Sequence, residues 1–441
     1  MADELAARRR ILYLTHRVPY PPNRGDRIRS FHTLQYLAAR AEIDLACFSD
    51  EPVDPAASAV LAKLCRRTAI IPLGRRSRWV HAASSMMCGR SATEGLFHSR
   101  QMSAVLDRWA ESAHYDFALA FCSSMATYLT LPRLRQIPQV VDLVDVDSQK
   151  WFDYAATASS ATRWLFRMEG RRVRKLECEI AERSKAVVVV SEPEAELMRS
   201  FCSTAPLHAV SNGVDLDHFR PQADDDSIAI ENQSNDRKIR PATANLQTGK
   251  IGKTNAATLV FVGVLDYRAN IDGLVWFCRE VWPQVLARYP AAKFQMVGRR
   301  PVSQVQKLAE LPGVELIGEV PDVLPYLHQA AIVVAPLRIA RGIQNKVLEA
   351  LSAGKAVVAS PQALEGLNLT PGSQVVAADQ PAQWIAAIDC LLNDETERRR
   401  LGAAGREFVC QHHHWNSCLA PLGRLLETES TVLERGIHAG V

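Results

Sequence analysis

The stretch best equipped for chemistry is 341–360, RGIQNKVLEALSAGKAVVAS. Ile343, Val347, Leu348 and Leu351 recur at helical spacing, which predicts a helix over 343–353 with one buried stripe. Gly342 stands where the chain enters that helix, and Gly354 ends it ahead of an apolar strand at 356–359. The start of a helix has unbonded backbone N–H groups and the positive end of its dipole, and both suit a phosphate. Arg341 and Lys346 add cationic charge to the same end. Glu349, three residues beyond Lys346, places a carboxylate where it can accept hydrogen bonds from a ribose diol.

Smaller candidates lie earlier in the chain. His16 closes the first apolar run and is an acid–base candidate. Arg24, Gly25 and Asp26 follow in a proline-rich loop. A glycine there lets backbone approach a diphosphate or an acceptor, and Arg24, Arg27 and Arg29 supply charge. Asp145 and Asp147 follow a buried strand and are candidates for substrate contact or for capping the next helix, with no metal assigned. Other motifs fail on context. Gly252-Lys253-Thr254 ends like a phosphate-binding loop, but Gln247 stands where that motif needs glycine, and a strand follows instead of a helix. No GxGxxG follows a strand, which leaves a dinucleotide cofactor without support. His412, His413 and His414 are adjacent on a helix, point to different sides, and read as a surface helix end beside Trp415.

Those residues need elements to hold them. Apolar strand-length runs at 11–15, 42–48, 117–121, 139–144 and 186–190 alternate with helical patterns at 27–40, 101–113 and 160–184. The alternation restarts with strands at 258–263, 293–297, 314–317, 331–335, 356–359 and 374–377. Helices are expected at 272–288, 302–310, 322–329, 343–353, 381–393 and 395–411. Strands apolar on both faces indicate parallel sheets covered on both sides, hence an α/β chain of two doubly wound, Rossmann-like domains facing across a cleft. The domains are expected at 1–205 and 257–395, with 221–256 a polar, mobile linker and 396–441 a run of C-terminal helices packing back on the first domain. The 52 Lys and Arg against 48 Asp and Glu leave +4 in 441 residues, too little for a dedicated nucleic-acid partner. No apolar run reaches the ~18–20 residues of a spanning helix, and the run after MADELAARRR is too short for a secretory signal. The 10 cysteines form no CxxC pair, which predicts a reduced, cytoplasmic protein. Two basic stretches with aromatics, Arg163–Lys175 and 75–80, could touch an anionic bilayer or be solvated charged faces.

The 341–360 segment resembles the donor-nucleotide helix of GT-B glycosyltransferases in family 4. Glu349 matches the second of that family's two spaced glutamates, and Arg341 stands at the place of the first. Ser211–Asp215 resembles the loop opening the second domain, Phe261-Val262-Gly263 its first strand, and Val297-Gly298-Arg299 the strand end approaching the nucleotide. Val264 replaces the family's usual arginine, and Arg268 lies one position short of its lysine. The stretches 16–29, 142–151 and 266–272 resemble sugar transferases of exopolysaccharide and PEP-CTERM systems. The resemblance implies a GT-B fold and transfer of a sugar from a nucleoside diphosphate sugar, with no cofactor or metal, to a glycan or lipid-linked acceptor. It implies retention of anomeric configuration, a role in cell-surface polysaccharide synthesis, and a site at the cytoplasmic face of the inner membrane. Within it Arg341, Lys346 and His16 would be catalytic. Gly263, Arg268, Gly298, Arg299, Gly342, Ile343 and Glu349 would hold the donor, and Arg24, Gly25, Asp26, Asp145 and Asp147 would face the acceptor. The same cleft would also serve a nucleotide-sugar epimerase or a non-catalytic nucleotide-sugar-binding protein.

Overall fold

A computed structural model describes residues 9–74, 77–222 and 257–427. Seven parallel strands make the first sheet: β1 (Arg10–Thr15), β2 (Glu42–Ser49), β3 (Arg67–Pro72), β4 (Phe117–Phe121), β5 (Gln139–Val144), β6 (Ala186–Val189) and β7 (Leu207–Ala209). Their order is β3-β2-β1-β4-β5-β6-β7. Six more make the second: β8 (Thr258–Val262), β9 (Lys293–Val297), β10 (Val314–Gly318), β11 (Ile332–Ala335), β12 (Ala356–Ala359) and β13 (Val376–Ala377). These run β10-β9-β8-β11-β12-β13, again all parallel. The two doubly wound sheets are the architecture expected of alternating strand and helix patterns. In β1, Leu12 and Leu14 enter one apolar cluster while Ile11 and Tyr13 enter the cluster on the opposite face. That is the period of two that a sheet covered on both sides produces.

Each sheet reverses its winding once, between β1 and β4 and between β8 and β11. Loops that leave adjacent strands in opposite directions at such a point open a crevice at their carboxyl ends. The first crevice is therefore bounded by the loops after Thr15 and Phe121, the second by the loops after Val262 and Ala335. Gly298, at φ +154, packs so close that a Cβ on it would lie 1.7 Å from the Gly263 carbonyl oxygen. Only glycine lets the ends of β8 and β9 come together in this way.

The lobes are joined by two strands of chain that run side by side. Val214 forms a parallel bridge with His414, and its N–H donates to the His413 carbonyl at 2.8 Å. The helix Trp415–Leu425 then packs against the helix Gly25–Ala38 of the first lobe. Trp415 stacks on His32 at 4.5 Å, and Leu419 and Leu422 join the cluster of Tyr13. His413 is buried, not at the surface as its neighbours suggested, and its Nδ1 pairs with the Asn212 carbonyl oxygen at 2.9 Å. The cause is the crossing chain, which no local periodicity reveals. The expected linker 221–256 lies outside the described residues from 223 onward, as do the ends of the chain beyond 427 and before 9.

Other differences are local. The single helix expected over 272–288 is three consecutive pieces, Arg268–Trp276, a π-turn at Phe277–Val281, and Trp282–Arg288. Pro283 removes one helical N–H near the join. The helix of the 341–360 segment is Asn345–Ser352, so Gly342 stands three residues ahead of it. The sheet-edge strands β3 and β7 gave no usable apolar run, because partly exposed edges need fewer buried side chains.

Candidate active site between the two lobes

The second crevice is lined by the loop after β8 and the segment leading into Asn345–Ser352. Lys346 points into it. Its Nζ donates to Asn270 Oδ1 at 2.6 Å and lies 4.5 Å from the centre of the Phe261 ring. A Cβ placed on Gly263 would come within 3.1 Å of that Nζ, so the amine sits beside the carboxyl end of β8. Burial pushes the Lys346 pKa down to about 7, with Glu349 opposing the shift. Burial likewise raises Glu349 to about 7, against the pull of Lys346 and His218. Neutralisation of each charge by the loss of water is the physical cause in both cases. An arriving polyanion would restore the ammonium.

Arg341 and Gly342 reach the other way, toward the first lobe. The Arg341 Nε donates to Asp153 Oδ2 at 2.9 Å, and its guanidinium lies 3.9 Å from Glu194. Gly342, at φ +63, abuts Asp145 so closely that a Cβ would fall 1.9 Å from Asp145 Oδ1. Ile343 is buried in the second-lobe core and packs toward Gly366. Arg268 stacks over Tyr154 at 4.6 Å from the ring centre, across the gap from its own lobe. Arg299, at the end of β9, also crosses: its Nη2 pairs with Glu51 at 2.9 Å, and its Nη1 donates to Asn23 at 3.3 Å.

On the first lobe, His16 and Cys122 meet at the switch point of the sheet. His16 Nδ1 is 3.0 Å from Cys122 Sγ, and His16 Nε2 is 3.1 Å from Asp26 Oδ2. The ring stacks on Phe121. Cys122 sits at φ +68 between β4 and a short helix. Burial raises its thiol and lowers the imidazole, which favours the neutral form of both. Burial also opposes charge on Asp26, yet His16, Arg24 and Arg17 hold its carboxyl well below the ordinary range. Gly25 opens the helix Gly25–Ala38 with no atom within 4 Å of where a Cβ would stand. Asp145 and Asp147 both pair with Lys150, at 2.9 and 3.0 Å. Among the described residues no group of three or more His, Cys, Asp and Glu is arranged to hold a metal.

Several residues of this cleft show their role only through partners distant in the sequence. Asn212 accepts from the buried Arg29 at 2.8 Å and donates to Asn345 at 3.0 Å, at the first turn of the Lys346 helix. Arg29 in turn pairs with Asp142 at 2.7 Å, both side chains 1% exposed. Asp153, Tyr154 and Glu51 lie outside every motif quoted, and Asn270 lies within the 266–272 stretch. Each acts through a partner more than 70 positions away: Asp153 with Arg341, Tyr154 with Arg268, Glu51 with Arg299 and Asn270 with Lys346.

The second-lobe geometry has a family counterpart. The sequence model of the family described as glycosyl transferases group 1 matches residues 256–394. The second lobe is a group 1 glycosyltransferase domain. That domain makes the chain a glycosyltransferase, and its two facing sheets are the GT-B fold. No curated protein matches the sequence. Among solved structures, sucrose-phosphate synthase from Thermosynechococcus elongatus superposes with a TM-score of 0.68 at 18% identity, covering 95% of this chain and 98% of that one. HepE of Anabaena, in complex with UDP and glucose, gives 0.64 at 14% identity, over 95% and 99%. A mutant of S. aureus TarM, in complex with fondaparinux, alpha-GlcNAc-glycerol and UDP, gives 0.61 at 12% identity, over 95% and 100%. At such identities these likenesses speak for the glycosyltransferase's fold. No described helix is long and apolar enough to cross a membrane.

Proposed function

We propose that the enzyme moves a sugar from a nucleoside diphosphate sugar to a glycan or lipid-linked acceptor in the synthesis of a cell-surface polysaccharide. One observation carries this reading. Lys346, the cation of the second crevice, sits beside Gly263 and has been driven toward neutrality by burial, so a diphosphate is the ligand that would repay its charging. In this reading Lys346 and the start of its helix neutralise the departing diphosphate, an electrostatic role that uses no metal. Asp145 and Asp147, already paired with Lys150, support metal independence. Glu349 holds the ribose. Gly263 and Gly298 admit the nucleotide backbone, and Arg268 and Arg341 bring the lobes together over it. Retention of anomeric configuration goes with the family resemblance of the helix.

The acceptor would enter over the first lobe, past Gly25 and His16. Support for a lipid-linked acceptor comes from that lobe's outer helices. Trp79, Val80 and Met87 on the helix Ser77–Met87, and Trp164 and Leu165 on Ser160–Arg183, are exposed. Arg78, Arg163 and Arg167 stand beside them, a composition suited to the cytoplasmic face of an anionic bilayer. The UDP complexes of HepE and TarM make UDP-sugars the first donors to try. The test is donor turnover by the full chain with and without acceptor, for UDP-, GDP- and ADP-sugars. Lys346→Ala should lower turnover by orders of magnitude in a protein that still folds, and full activity in that variant refutes the reading. Donor consumed equally fast with no acceptor would favour a nucleotide-sugar epimerase or hydrolase.

A further inference from the structure

A second cationic site lies in the cleft, lined mostly by the first lobe and without Lys346. A cavity of about 190 Å³ is lined by Tyr20, Asn23, Arg27, Glu51 and Val53 of the first lobe and by Arg299 of the second. That is smaller than the ~300–1,000 Å³ of a whole-ligand pocket and suits one group of a larger molecule. Glu51, in the lining, is shared by four guanidiniums: Arg299 at 2.9 Å, Arg27 at 3.4 Å, Arg24 at 3.7 Å, and Arg300. Arg24 also pairs with Asp26, and Arg300 lies 3.7 Å from Asp266. Arg27 and Arg299 pair with no other carboxylate among the described residues. Burial works against charge on Glu51, but Arg299, Arg27 and Arg300 hold its carboxyl below the ordinary range.

The pairing is incomplete in a way that one carboxylate cannot mend. Arg27 is 8% exposed, and its Nε is buried without a hydrogen-bond partner. The Nε of Arg299, whose side chain is 10% exposed, is also buried and unpartnered. A buried guanidinium N–H left unbonded costs more than a neutral donor would. Two forked donors facing one planar carboxylate with two oxygens leave directions unfilled. A tetrahedral phosphate offers three acceptor oxygens in place of the carboxylate's two, and Arg is the side chain that binds it bidentately.

We propose that this cavity binds a phosphate group of the acceptor, and that Glu51 occupies the site in its absence. The incoming phosphate takes Arg27 from the first lobe and Arg299 from the second and displaces the Glu51 carboxylate. It thereby ties the lobes in the acceptor-bound state. The acceptor class is a phosphorylated one, such as a sugar phosphate or a polyprenyl-phosphate-linked sugar. The assignment to the acceptor, though not the phosphate site itself, rests on the glycosyltransferase reading above. The donor's own diphosphate has the same chemistry, but the lining is almost wholly first-lobe.

The test is calorimetric titration of the full chain with inorganic phosphate and with glycerol 1-phosphate, each with and without saturating UDP. Glu51→Gln keeps the shape and removes the competing charge, so both probes should bind it about tenfold more tightly than the wild type. Arg27→Met and Arg299→Met should each weaken binding about tenfold or more. Saturating UDP should leave the titration unchanged. Equal or weaker phosphate binding by Glu51→Gln, or no binding to either protein, overturns the proposal and leaves Glu51 as a tie between lobes. Loss of the signal under UDP would return the cavity to the donor and overturn the acceptor assignment. Failure of sugar transfer with every donor, with phosphate still bound more tightly by Glu51→Gln, would instead fault the reading of the reaction.

Discussion

The Lys346 amine makes a quantitative demand on donor binding. Without ligand its pKa is about 7, because burial beside Phe261 and Asn270 removes the water that would solvate the ammonium. Glu349 on the same helix pulls the other way, and His218 faces that glutamate. A nucleoside diphosphate at the end of β8 requires the charged form, so binding above neutrality must take up a proton. Affinity should then fall about tenfold, or about 1.4 kcal/mol, for each pH unit above 7, until the bound-state pKa is reached. The terminal phosphate of UDP titrates near ~6, so a series from pH 7 to 9 is free of its ionisation. The assay is UDP titration across that range in two buffers of different ionisation enthalpy, which counts protons directly. Lys346→Met should bind UDP about 10–100-fold more weakly at pH 7 and show no slope. The ligand-free stability runs in the opposite direction. The native pKa lies below the unfolded one, so the unfolded chain holds more protons between about 7 and about 10.4, and Lys346 makes the fold more stable as pH rises through that window. A flat affinity in the wild type, or the same slope in Lys346→Met, refutes the placement of the diphosphate.

Three further changes probe the frame around that amine. Gly342→Ala adds about 1–2 kcal/mol of left-handed strain and drives a Cβ into Asp145, so kcat/KM should drop more than tenfold while the melting temperature shifts by only a few degrees. Arg29→Met strands Asp142 in the core and should cost about 3–5 kcal/mol in urea unfolding, largely recovered in the double variant with Asp142→Asn. Glu177 is fully buried, and burial raises it to about 8. The native state therefore holds a proton the unfolded chain loses above about 4.3, and stability falls by about 1.4 kcal/mol per pH unit from there to about 8. Glu177→Gln should be flat over that range and melt higher than the wild type at pH 9.

The two sheets were legible because a strand buried on both faces must be a continuous apolar run, whatever packs on it. Leu119 and Val141 could be placed in the first core, and Val334 and Val358 in the second, from that argument alone. The place of Lys346 was legible for a related reason: the apolar stripe Val347, Leu348 and Leu351 fixes the helix, and Lys346 falls in its first turn. Arg341 shows where such reasoning stops. Its type suggested a phosphate ligand, but its guanidinium spends its hydrogen bonds on Asp153, 188 positions away. Arg299 parts from expectation in the same way, reaching Glu51 across 248 positions. Charges that meet across the gap leave no periodicity behind, since each satisfies its own lobe's pattern as a solvated surface residue would.

Those crossing contacts make the two crevices one device. Asp142, Arg29, Asn212 and Asn345 form an unbroken chain of hydrogen bonds from the end of β5 in the first sheet to the first turn of the Lys346 helix in the second. Asn212 stands where the interlobe chain passes, and its carbonyl also takes His413 from the returning strand. A hinge built of side chains in a low-dielectric interior resists partial opening, because any rotation that breaks Asn212 from Asn345 leaves a buried amide unpaired. The other contacts across the gap are ion pairs of partly buried side chains, such as Arg341 with Asp153 and Arg299 with Glu51. The chain of hydrogen bonds through Asn212 thus registers the Lys346 helix of the second sheet on the end of β5 in the first.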